Sequence, residues 1–159
     1  MKPVQKTYSV TEARQRMERY CAYRERCHKE VLEKLREMRM IPAAVDQIML
    51  HLLQENYLNE TRFAQAFARG KFRIKKWGKN RIVRELKMRD ISQYNIKMAM
   101  MEIPDDAYLD TFDALATARW EQLDSEENIQ RKKKKFADYL LYRGWESTMI
   151  WERIKELTN

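Results

Sequence analysis

The chain reads as an all-α protein built from three tandem three-helix repeats that form an elongated, curved helical array. Three observations lead there. The 159 residues include only three glycines and three prolines, too few for a sheet-and-turn fold and in keeping with long helices on short connections. Apolar residues recur at three- and four-residue spacing along most of the chain, the period of a helix with one buried face. The pattern also repeats. Val31, Leu35, Met40 and Val45 stand 51 residues before Ile82, Leu86, Ile91 and Ile96, which stand 54 residues before Phe136, Leu140, Trp145 and Ile150. Four apolar positions that hold register twice, across two helices and their turn, mark one structural unit used three times. Units that touch mainly their neighbours build an extended array.

The elements follow in order. Residues 1–8 lack periodicity and read as a disordered N-terminal arm. Ser9 and Glu12 make an S-x-x-E capping box, and Ala13, Met17, Tyr20, Cys21 and Arg24 follow at three- and four-residue spacing as the helix's stripe. A second helix is predicted from about Cys27 to Met38, and Pro42 suits the first turn of a third carrying Val45, Ile48, Met49 and Leu52. These make repeat 1, residues 9–58. Repeat 2, residues 59–104, opens on Asn59 or Thr61 with Phe63, Phe67 and Ala68, and breaks at Trp77-Gly78. It resumes with Ile82 and Leu86, and ends in a helix capped by Ser92. Repeat 3, residues 105–159, is predicted to start its first helix at Asp110 and its second at Ser125, with Gly144 closing the second. Trp145 and Trp151 are expected in the core, and Trp77 at the surface.

Charge is placed unevenly. The net +8 divides into +2 over residues 1–60, +9 over residues 61–103 and −3 over residues 104–159. Between Arg69 and Arg89 ten basic residues meet one acid, Glu85, with Phe72, Trp77, Ile82 and Leu86 threaded among them. A flexible basic tail would lack those apolar residues, and solubility is better served by mixed signs. The stretch therefore reads as two folded helices that display positive charge to a polyanionic partner. Arg69, Lys71, Arg73, Lys75, Lys76, Lys79, Arg81, Arg84 and Lys87 are its candidate contact residues. A second basic run, Arg131 to Lys135, is either a phosphate contact or a solvated helix face balanced by Glu126 and Glu127.

Other chemistry is sparse. His28 and His51 are the only histidines, and neither C-x-x-C nor H-x-x-x-H occurs, so no metal site and no cofactor are expected. Acid pairs such as Asp105-Asp106 suit helix N-termini. No phosphate loop encloses Gly70 and Gly78, and no catalytic constellation is evident, so the protein is expected not to be an enzyme. Cys21 and Cys27, read as six apart on one helix, would face different sides and stay reduced. With no secretion signal and no apolar run near 18 residues, a cytoplasmic protein with no membrane association is expected.

The middle unit, YLNETRFAQAFARGKF followed by KKWGKNRIVRELKMRDI, resembles the central signature of the RecX family of regulatory proteins. The matching features are the L-N-x-x-R-F-A opening at Leu58–Ala64, Arg69 two residues after Phe67, the aromatic-Gly break, and R-I-x-x-E-L at Arg81–Leu86. The "E-V-L-E-K-L" of the first unit is similar too. Lys76-Trp77-Gly78-Lys79 stands where the family often has Gly-aromatic-Gly-Pro. The resemblance implies a monomeric regulator that binds the RecA–DNA filament, lies along its groove and limits RecA recombinase and ATPase activity in DNA repair and recombination, within the SOS response. The alternative is a helical module that binds single- or double-stranded nucleic acid, DNA or RNA, by itself through the basic repeat.

Overall fold

The computed structural model describes residue 1 and residues 6–159. Among these there are nine α-helices and no strands. Helices α1 (Val10–Tyr23), α2 (His28–Glu37) and α3 (Pro42–Gln54) form the first unit. The second holds α4 (Glu60–Arg73), α5 (Lys79–Met88) and α6 (Gln93–Met100), and the third α7 (Asp105–Gln122), α8 (Ile129–Tyr142) and α9 (Ser147–Thr158). The accessible surface is 10549 Å², against about 8,500 Å² for a compact monomer of this mass. That excess is what units set side by side, without a common centre, produce.

Local chemistry explains most helix starts. Ser9, Asn59, Ser92 and Asn128 each accept a hydrogen bond from the backbone N–H three residues on, satisfying a donor that no helix turn reaches. Pro42 sits in the first turn of α3. Two starts differ from expectation. Helix α7 begins at Asp105, because Pro104 takes the capping position and the acids fill the first turn. Helix α8 begins after Asn128, whose side chain accepts from the Arg131 N–H, and not at Ser125. Cys21 and Cys27 do not share a helix either: α1 stops at Tyr23, and Cys27 is the extended residue that precedes α2. The expected arm lies partly outside the described residues. At its end, Tyr8 packs on the first unit's core beneath Arg16.

The repeat seen in the sequence is also a repeat of backbone geometry. The second helix of each unit ends in the same reversal, with Arg39, Asp90 and Gly144 all at positive φ. The next residue's N–H reaches back five positions, Met40 to Leu35, Ile91 to Leu86 and Trp145 to Leu140, at 3.1, 3.2 and 3.1 Å. This is a Schellman closure, and the bonded residues are the apolar positions that hold register. Each turn thus satisfies orphan carbonyls while pressing one apolar side chain onto the helix it ends.

The nine helices enclose two cores. Ala13, Met17, Cys21, Val31, Leu35, Ile48, Leu52 and Leu58 form one within the first unit. The other is shared by units two and three, from Phe63 through Ile82 and Leu86 to Phe136, Trp145 and Ile154. Cys27 is the first unit's buried contribution to it. Trp145 is fully buried, with its ring 4.5 Å from Tyr108 and 5.5 Å from Phe112, and its Nε1–H donates to the Lys76 carbonyl. Gly78 and Gly144 cross in van der Waals contact, where a β-carbon on Gly78 would lie 2.4 Å from the Gly144 oxygen. Trp151 departs from expectation. Ile150 and Ile154 occupy the buried stripe of α9, and Trp151, about 100° around the helix, is exposed.

Candidate functional site

The nine candidate cations lie on α4, the connection after it, and α5. Helix α4 ends at Arg73. Lys76 turns left-handed at φ 59°, and the Trp77 N–H reaches back to the Lys71 carbonyl. Gly78 then serves as the N-cap of α5.

The structure divides these residues by what they touch. Arg69 pairs with Glu102 at 3.4 Å. Lys71 is half-buried, with its ammonium 5.4 Å from the Phe67 ring and 5.0 Å from Trp77. Burial, then the charges of Lys75 and Arg89, holds its pKa below the ordinary lysine range. Lys79 lies 4.6 Å over Tyr108 and 3.8 Å from Asp105. Its backbone N–H donates to the Tyr108 hydroxyl, which in turn donates to Glu146. Burial and the Glu146 hydrogen bond push the Tyr108 phenol up, so it stays neutral as this relay requires. Arg81 lies between Trp77 and Tyr142, at 4.1 and 4.8 Å, and donates to the Tyr142 carbonyl. Lys79 and Arg81 therefore stitch unit two to unit three.

The other five are Arg73, Lys75, Lys76, Arg84 and Lys87. All are exposed, and none makes an ion pair among the described residues. Leaving five like charges unneutralised on one short stretch creates a positive field that can attract a polyanion from a distance. The second basic run behaves differently. Lys132 pairs with Asp124, Lys134 with Asp138 and Lys135 with Glu126, so it is largely a neutralised helix face.

Two functional-looking residues escaped the sequence reading. Arg62, in the first turn of α4, binds Glu25 at 2.6 Å and also donates to the Asn56 side chain and carbonyl, which staples unit one to unit two. Its place in the R-F-A motif was its only signal. Arg24, from the end of α1, joins Lys71 and Lys75 around one surface groove. Nothing in the linear chain marks that convergence. Trp77, expected at the surface, is half-buried against the shared core between Lys71 and Arg81. Glu85 is the partner of Arg89, one turn on at 3.0 Å. Among the described residues no cluster of His, Cys, Asp and Glu could hold a metal, and no helix is long and apolar enough to cross a membrane.

Fold and site together define a tandem three-helix repeat protein with a strongly cationic middle unit. Residues 59–100 match the family model described as the second three-helix domain of RecX. The chain is similar to the regulatory protein RecX of Lactobacillus gasseri, 32% identical over 91 residues, which are 57% of this chain and 34% of that protein. It is also similar to the regulatory protein RecX of Listeria monocytogenes, 26% identical over 143 residues, covering 88% of this chain and 52% of the relative. This chain spans about a third to a half of the length of these curated relatives. Two crystal structures share the fold: a regulatory protein RecX at TM-score 0.80 and 20% identity, covering 92% of this chain and 73% of that one, and RecX from Lactobacillus salivarius at 0.79 and 22%, covering 93% and 96%. The second unit is thus similar to the second three-helix domain of RecX, and the chain as a whole shares the RecX fold.

The family signature now has physical content. In L-N-x-x-R-F-A, Leu58 fills the first core, Asn59 caps α4, Arg62 staples the units, and Phe63 and Ala64 enter the second core. In R-I-x-x-E-L, Arg81 holds the seam with unit three, Ile82 and Leu86 are buried, and Glu85 anchors Arg89.

Proposed function

We propose that this chain docks on the RecA–DNA filament through the cations of its second unit and restrains RecA's ATPase and strand exchange. The observation that carries the reading is the set of five exposed, unpaired cations, Arg73, Lys75, Lys76, Arg84 and Lys87, on a unit locked to its neighbour by a shared core. A filament is a repeating polyanion. A rigid array of helical units that presents unneutralised charge can contact it at more than one place, which raises effective affinity without any strong single contact. Similarity to relatives that carry the name regulatory protein supports the same reading. The protein acts in the cytoplasm as a monomer, with DNA contacted directly or as part of the filament.

The test is the single-stranded-DNA-dependent ATPase of RecA, with this protein added well below one copy per recombinase and free DNA in excess. The expected result is a steep loss of turnover at low ratio. Loss only when the protein is abundant enough to coat the DNA would mean that it binds nucleic acid by itself. In that case five phosphate contacts would lower log K by about 3.5 per log unit of salt.

A further inference from the structure

Phe63, Ala66, Phe67 and Gly70 of α4 and Ile74, its C-cap, follow one another at helical spacing and line a groove of ≈ 280 Å³ beside the end of α1. Ile74 is exposed, although its neighbours along the groove are apolar. Gly70 is the informative residue. It lies in the interior of a 14-residue helix, where glycine is destabilising relative to alanine. A β-carbon there would meet nothing within 4 Å, and the backbone is not at positive φ. Neither packing nor conformation within the chain calls for glycine at this position. Its effect is to keep the floor of the groove open.

The rim is charged. Arg24, Lys71 and Lys75 surround the groove, and Lys71 has no carboxylate partner among the described residues. Glu25 is the one acid on the rim. Its Oε1 is held by Arg62, which offsets its charge. An apolar floor and a cationic rim together select the ligand. A phosphate backbone supplies charge for the rim and no apolar group for the floor. A peptide supplies carboxylates for the rim and an apolar side chain for the floor.

We infer that this groove is a docking site for an acidic peptide segment of a partner protein, with one large apolar side chain seated over Gly70. Lys75 alone belongs both to this rim and to the five exposed cations; Arg73, Lys76, Arg84 and Lys87 lie outside the groove, and the inference stands whether or not the filament reading holds.

The test uses the full chain and fluorescence anisotropy. The probe is a labelled peptide with one Phe flanked on each side by two acidic residues, compared with the same peptide carrying Ser for Phe. The expected result is at least a tenfold preference for the Phe peptide. Gly70→Leu fills the groove and abolishes that preference with no loss of thermal stability, and Ile74→Ser, at an exposed position, reduces it. Arg73→Glu with Arg84→Glu, which spares the groove, leaves it intact. Equal binding of the two peptides would overturn the inference, as would a preference that survives both Gly70→Leu and Ile74→Ser. So would displacement of the Phe peptide from the groove by an oligothymidylate in wild type but not in Gly70→Leu, which would make nucleic acid the occupant. Loss of ATPase inhibition in Arg73→Glu/Arg84→Glu with the Phe preference retained would separate the two sites.

Discussion

Replacing Gly78 with alanine tests whether units two and three form one body. The residue sits at φ −77°, which alanine adopts freely, so any effect must come from the seam. The added β-carbon would lie 2.4 Å from the Gly144 oxygen and 2.6 Å from both the Gly144 carbonyl carbon and the Trp145 nitrogen. All three are backbone atoms that cannot rotate away, so the two units must separate by about 1 Å to reach ordinary contact. Overpacking of this kind costs about 1–3 kcal/mol. Separation also strains the bonds from Gly78 N–H to the Arg143 carbonyl (2.8 Å) and from Asn80 N–H to the Gly144 carbonyl (3.0 Å), each worth about 1 kcal/mol net. The expected loss is about 2–4 kcal/mol, or roughly 5–15 °C in Tm for a domain of this size. Urea unfolding followed by far-UV circular dichroism and by tryptophan fluorescence reads it, because Trp145 is buried at the seam. Gly70→Ala is the control, with a gain of about 0.5–1 kcal/mol expected from helix propensity. A Gly78→Ala variant within about 0.5 kcal/mol of the parent would refute the shared-body account.

Three further outcomes are expected. Arg62→Ala removes the staple between units one and two; with both partners about a third exposed, the loss is about 1–2 kcal/mol. Hydrogen exchange should then quicken in α1–α3 and not in α7–α9, whereas uniform quickening would contradict a separate first core. Burial pushes the Cys21 and Cys27 thiols from 9.0 up to about 11, so their contribution to stability is complete below pH 9 and is lost as pH rises through 11. The raised Tyr108 phenol acts in the same direction at higher pH. Urea midpoints under reductant should fall across pH 9–11, and less steeply in a variant with both cysteines changed to alanine; parallel profiles would count against the buried-thiol explanation. Asp90→Gly relieves a left-handed residue at φ 58° and should stabilise by about 0.5–1 kcal/mol, read as a rise in thermal midpoint. A fall would show that the Asp90 side chain contributes more than its backbone strain removes.

The all-α class and the three-unit register were legible because they rest on periodicity, which a linear sequence records directly. Ile82, Leu86, Phe136, Leu140, Trp145 and Ile150 are buried as their register implied. Even the left-handed turn recurs in register, although Arg39 and Asp90 carry no glycine to announce it. The start of α8 was misplaced because Ser125 and Asn128 are equally plausible caps until the chain's path is known. Trp151 was misjudged because apolar character alone does not say which side of a helix meets the core. Within the candidate site, charge density was legible and occupation was not. Lys79 and Arg81 look like their exposed neighbours in sequence, yet their partners Tyr108 and Tyr142 lie 29 and 61 residues further along the chain. Arg24 joins Lys71 only when unit one folds back against α4.

The most direct test of the central claim compares two charge reversals in the RecA ATPase assay. Arg73→Glu/Arg84→Glu alters exposed, unpaired cations of unit two, and Arg131→Glu/Lys155→Glu alters exposed, unpaired cations of unit three by the same net charge. With both variants folded to the parent's thermal midpoint, the first should lose inhibition at substoichiometric ratio and the second should keep it. Equal inhibition by the two would contradict the claim and leave the cationic stretch as a solvated face.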